Sequence, residues 1–289
     1  MARNNEDRFG SPKVDTGSPP PVASPSAATD DRLFSFVSPT EFVDLPSLGK
    51  YYPKNHPLYN QEAIEIRYMT AKDEDILTSQ SLLKKGLAID RLLQNVIVDK
   101  NIKVEDLLIG DKNALLIATR ISGYGEVYEA KVGCPSCYEL SDHEFSLGVL
   151  NINHGVEDEG GGIKHSPEEN LFLVILPKMQ VEVGLRLLDG NDEKSMAKSA
   201  MRKKKNNLPD TPLTDQFYKM IASVNGSRDR FHINELIDIM PASDSRYLRK
   251  VYIEIVPNVE LKQDFECPEC GTVEEVVIPL TTEFFWPKS

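Results

Sequence analysis

The chain has 289 residues, 40% of them hydrophobic, enough to bury one sizeable core or two modest ones. Its 45 acidic residues against 33 basic ones give a net charge of −12, a balance that weighs against a nucleic-acid surface. No apolar run approaches the roughly 18 residues of a membrane-spanning helix, and the opening residues hold no apolar stretch of a secretory leader, so the expectation is an intracellular chain without membrane contact.

Residues 1–32 are rich in Pro, Ser, Asp and Asn, a composition that cannot bury enough apolar area to offset its ordering entropy. They read as a disordered arm, with ordering against a partner as the functional alternative. From 33 to 150 an α+β segment is expected. Phe42 to Pro53 is rich in turn residues, and Ile64-Glu65-Ile66-Arg67-Tyr68-Met69 alternates as a strand. Thr70 opens a helix with Asp73 in capping-box position, and Gly86 breaks the apolar stripe that follows. Arg91 to Val98 is a second helical stretch. Asp111 is expected to cap a third that Gly123 stops.

Next come the features that bear most on chemistry. Cys134-Pro135-Ser136-Cys137 and Cys267-Pro268-Glu269-Cys270 contain all four cysteines of the chain, as two C-P-x-C pairs. Four thiolates grouped two and two match the four tetrahedral positions of a structural zinc ion, and the Pro pre-sets φ for a tight turn. Disulfides are disfavoured by the missing leader, and a redox dithiol would have to arise twice without a thioredoxin-like βαβ pattern. His143, six residues past Cys137, is a spare nitrogen ligand or a solvated loop histidine. Alternating residues precede each pair (126–132 and 259–265) and strand-like runs follow, so each pair is expected at the tip of a β-hairpin. Gly271 supplies a left-handed position after Cys270, whereas Tyr138 fills the equivalent place after Cys137, predicting a less regular first turn.

Residues 151–169, with Glu157 to Gly162 at their centre, read as a flexible acidic and Gly-rich linker. A second α+β segment, 170–289, follows. Leu171–Leu176 and Val181–Leu187 are expected strands, and Asp189 starts a polar helix ending in Arg202-Lys203-Lys204-Lys205. Those four cations either contact phosphate or form a solvated helix end, where positive charge is favoured anyway. Helical segments are expected around 215–224 and 234–240. Phe284-Phe285-Trp286-Pro287 is a tail that docks on the core or, if exposed, an anchor for a partner. The fold class is therefore α+β, a helical N-terminal half and a mixed C-terminal half joined by a two-knuckle CxxC…CxxC zinc ribbon.

No phosphate-binding loop, dinucleotide fingerprint, nucleophile elbow or H-E-x-x-H helix occurs, and the histidines are scattered. Asp73-Glu74-Asp75 is explained by its helix N-terminus rather than by acid–base work. Three classes of function remain: an interaction protein, a zinc-ribbon adaptor for nucleic acid or a replication or transcription complex, and a metalloenzyme with an open metal position.

Taken in order, several short patterns resemble the T4-type bacteriophage baseplate hub and hub-assembly proteins. They are Leu45-Pro46-Ser47-x-Gly49-x-x-Tyr52, Ile66-Arg67-x-x-Thr70-x-x-Asp73-Glu74, and Leu107-Leu108-x-Gly110-Asp111. Arg120 to Gly125, the two C-x-x-C pairs, Asp244-Ser245-Arg246-x-Leu248-Arg249 and Phe284 to Pro287 continue the likeness. The resemblance implies a non-enzymatic protein that helps build the central hub of a contractile tail. Its partners would be other baseplate and tail hub proteins. Its place would be the host cytoplasm during assembly, or the virion tail.

Overall fold

The computed structural model describes residues 38–156, 162–279 and 282–285; the arm at 1–32, the centre of the acidic linker and the Trp286-Pro287 end lie outside them. The first elements are β1 (Thr40–Asp44), β2 (Ala63–Arg67), α1 (Ala71–Thr78), α2 (Gln80–Lys84), α3 (Ala88–Val96), α4 (Ile109–Tyr124), β3 (Val127–Gly133) and β4 (Leu140–Ser146). Next come β5 (Ile152–Asn153), β6 (Ile163–Ser166), β7 (Leu171–Ile175), β8 (Glu182–Leu185), α5 (Gly190–Lys205), α6 (Pro212–Met220) and β9 (Ile221–Val224). The chain closes with α7 (Arg230–Ile239), α8 (Ala242–Ile255), β10 (Asn258–Val259), β11 (Lys262–Glu266), β12 (Val273–Val277) and a 3-10 turn at Thr282–Phe285. The protein is α+β. Its N-terminal half is mixed rather than helical, because β1 and β2 precede the first four helices and β3 and β4 follow them.

Two hydrophobic clusters organise the described residues. The first gathers β1, β2, α3, α4 and the β3–β4 hairpin, and it is completed from far along the chain by Val259, Phe265, Cys267, Ile278, Phe284 and Phe285. Burial of this apolar surface stabilises the fold by about 25 cal/mol per Å² removed from water. The second cluster contains the antiparallel sheet β6-β7-β8-β9 with α6, α7 and α8, plus Tyr51 from the first part of the chain. Strand pairing brackets the acidic stretch: β5 pairs with β10, and β6 forms an edge of the four-stranded sheet.

Local expectations and structure differ at four places. Asp111 is not a cap: α4 starts at Ile109, and the Asp111 side chain turns into the core. The helix stop is Gly125 at φ 82°, two residues past Gly123, because only Gly125 adopts the left-handed conformation. Residues 221–224 are strand β9, since β-branched Ile221 and Val224 fit a pleated surface and extend the sheet beside β8. Finally, 243–251, to which the sequence pattern assigns no element, lies within α8. The capping box at Thr70/Asp73, the helix start at Asp189 and the break at Gly86 are formed as read, and the structure adds a capping box at Asp189/Asp192.

Candidate metal centre

The two C-P-x-C pairs sit at the tips of the β3–β4 and β11–β12 hairpins, and their turns are built alike. In the first, Cys134 N donates to Glu139 O and Tyr138 N to Cys134 O, both at 2.9 Å. In the second, Cys267 N donates to Thr272 O and Gly271 N to Cys267 O, again at 2.9 Å. Tyr138 takes φ 62° where Gly271 takes 67°. The first turn is thus as regular as the second, and Tyr138 accepts the cost of a left-handed residue that glycine avoids.

The hairpins face each other with their sulfurs converging. The Sγ atoms of Cys134 and Cys270, and those of Cys137 and Cys267, are 3.7 Å apart, and all four lie within 4.8 Å of one another. None is in a disulfide. Zn–S bonds of about 2.3 Å in a tetrahedron put neighbouring sulfurs about 3.7 Å apart, as two of the six separations are, and none of the others exceeds 4.8 Å. The donor set and spacing therefore fit a tetrahedral thiophilic ion, and the four cysteines could hold one. Cys134 and Cys267 are buried in the first core, while Cys137 and Cys270 face outward.

The thiols are unequal. Cys270, whose sulfur lies 3.2 Å from the Thr272 hydroxyl and is also favoured by the Thr272 backbone, is drawn down to about 6. At Cys137 the backbone at Glu139 favours the thiolate, but desolvation and the crowding sulfurs of Cys134, Cys270 and Cys267 outweigh it and push the thiol up to about 12. Like charges this close cannot all ionise without a cation among them.

His143 is not a fifth donor. Its ring stands edge-on between Phe145 at 4.7 Å and Phe265 at 5.2 Å, joining the hairpins by aromatic packing. Beside it the Gln263 side chain accepts from Ser146 N at 3.1 Å and donates to Ser146 O. Gln263 and Thr272 escape sequence reading. Their only signal is phase, Gln263 being a polar residue on the inward side of an alternating strand.

The remaining motif residues form buried clamps. Asp111, fully buried, accepts from Ser47 N at 2.9 Å, Ser47 Oγ at 2.6 Å and Tyr52 Oη at 2.7 Å. Burial raises its carboxyl above the usual range, and these three donors only partly offset that. Asp73 receives a two-pronged contact from Arg67 at 2.7 and 2.9 Å, and further bonds from Thr70 and Asn95. Asp244 accepts from the backbone of Lys178 and Met179 at 3.0 Å each. Each clamp ties a helix to a turn or strand outside it.

At the end of α5, Lys203 is engaged by Asp215 at 2.7 Å, so Arg202 to Lys205 is not a uniform free basic patch. Phe284 and Phe285 are 2% exposed and docked. Among the described residues no helix is long and apolar enough to cross a membrane.

The fold is thus mixed α and β, with four cysteines from two distant hairpins placed where one ion could bind and its polar motif residues engaged in internal clamps. The family model described as "T4 bacteriophage base plate protein" matches residues 39–286, and the chain belongs to that family. No curated protein and no solved structure shows a significant match to it.

Proposed function

We propose that the chain is a non-enzymatic structural component or assembly factor of the tail baseplate hub, acting through protein–protein contacts, with one zinc ion held by Cys134, Cys137, Cys267 and Cys270. The observation that carries this reading is the family match over almost the whole described chain. Further support comes from the placement of the motif residues: Asp73, Asp111 and Asp244 are fully buried and hydrogen-bonded, which suits shape and stability rather than turnover.

The bound metal would supply a cross-link between two distant hairpins, and four sulfur ligands leave no coordination position for substrate or water. The reading is tested by tagging the chain in infected cells and identifying what copurifies. Baseplate and tail hub proteins are expected in the eluate. Nucleic acid or host replication proteins in their place would overturn the hub assignment. X-ray absorption at the zinc edge should report four sulfur neighbours; a nitrogen or oxygen neighbour would overturn the four-cysteine set.

A further inference from the structure

The β11–β12 hairpin ends in an open edge. β12 pairs only with β11 among the described residues, and no other strand covers its far side. The ladder phase follows from two bonds, Cys267 N to Thr272 O and Ile278 N to Leu261 O. In an antiparallel pair such bonded positions recur every second residue, so Glu274 and Val276 direct their backbone groups at β11. The N–H and C=O groups of Val273, Glu275 and Val277 point the other way.

Native edge strands are normally blunted by lysine, proline, a bulge or a covering element. β12 reads Val-Glu-Glu-Val-Val, with no lysine, proline or bulge; its two charges are glutamates, which turn away an acidic strand but not a basic one, and Val273 and Val277 are 61% and 64% exposed. The strand is pinned from behind by Val276, which packs on the first core, and at its start by Cys270. It is therefore a held edge rather than a fraying one.

We propose that the free edge of β12 is a docking site that takes up an extended, basic segment of a partner protein by strand addition. A basic partner fits this edge better than a second copy of the chain. Antiparallel self-pairing that sets Val273 opposite Val277 also sets Glu275 opposite Glu275, adding a like-charge pair to the Asp264–Glu275 pair the hairpin already carries. The hairpin's outer face carries Asp264, Glu266 and Glu275 against Lys262 alone, and the Lys262–Glu275 pair at 3.0 Å is solvent-exposed and weak. The complementary strand places lysine or arginine opposite Glu275 and apolar residues opposite the two valines, with backbone bonds giving affinity and side chains giving register.

The test titrates a short synthetic peptide alternating valine and lysine into the metal-loaded full chain at low salt, with amide exchange read residue by residue. The Val273, Glu275 and Val277 amides should exchange freely at first and become protected, while those of Glu274 and Val276 do not change. A valine–glutamate peptide should bind at least about tenfold more weakly. Glu275→Pro removes one outward N–H and no ladder bond; it should weaken binding about tenfold while metal content and Tm stay unchanged. Outward amides already protected in the free chain would mean its own residues cover the edge. That result, no protection at any peptide concentration, or indifference to peptide charge would each overturn the proposal.

Discussion

Arg120 Nε donates to the carbonyl oxygen of Phe284 at 2.6 Å, tying the middle of α4 to the closing turn of the chain. The same guanidinium reaches Gly125 O at 2.8 Å and Val127 O at 3.1 Å, so one buried side chain serves three separate carbonyls. Each carbonyl is served by a different nitrogen of the planar fork, a spread that the single nitrogen of a lysine does not reproduce. Arg120→Lys should therefore cost about 2–4 kcal/mol, because it leaves buried carbonyls without donors. Urea denaturation would show it, with faster proteolysis near Phe284. A change under about 0.5 kcal/mol would mean the carbonyls find water instead.

Asp73 sets an acid limit. Burial opposes its ionisation, but the Arg67 guanidinium, Thr70 and Asn95 outweigh that and hold the carboxyl down at about 2. A depressed carboxyl contributes stability above its unfolded value of 3.8, and that contribution is lost as pH falls toward 2. It amounts to about 2 kcal/mol. Acid also releases a thiolate-bound metal, so the readout is the difference between the wild type and Asp73→Asn. That gap should be widest near neutrality and close between pH 4 and 2. A gap that stays constant would place the effect elsewhere.

Chelation at neutral pH should remove one zinc per chain and lower Tm sharply, since a structural zinc contributes on the order of 10 kcal/mol in small domains. Cys134→Ser and Cys270→Ser should each abolish binding, although only Cys134 is buried. Either variant retaining zinc and Tm would separate the two pairs into independent sites.

Gly110 tests the packing of α4. A Cβ there would lie 1.8 Å from Pro257 O, which is backbone and cannot swing aside. Gly110→Ala should cost more than about 3 kcal/mol. The control is Gly133→Ala, whose Cβ would meet only Leu140 at 3.6 Å; it should be neutral or raise stability by up to about 1 kcal/mol. Equal effects at both positions would rule out the clash.

Much of the candidate site was legible because its determinants are local. Two residues between cysteines, a proline, and alternating flanks are enough to specify a hairpin tip, and the doubled motif identifies its partner. Asp111 was misread because the deciding contact is Ser47, 64 positions away, whereas an aspartate near a helix start also satisfies the local rule for a cap. β9 was misread as helix because four residues after a helix show little period of their own; β8 beside them decides. Tyr138 shows the reverse case, where the turn's hydrogen bonds override a residue's dislike of positive φ. The open edge of β12 has no signature at all until the sheet order is known.

The four-cysteine cluster also imposes an order on the chain's maturation. Cys134 and Cys137 are made long before Cys267, and every buried residue of the second core except Tyr51 is synthesised in the interval. A ribosome-bound chain short of Cys270 offers the metal an incomplete ligand set, and it lacks Phe284 and Phe285, the residues that finish the first core. If the four cysteines hold one ion as proposed, its capture waits for the β11–β12 hairpin, and the ion would join two parts of the chain made far apart in time.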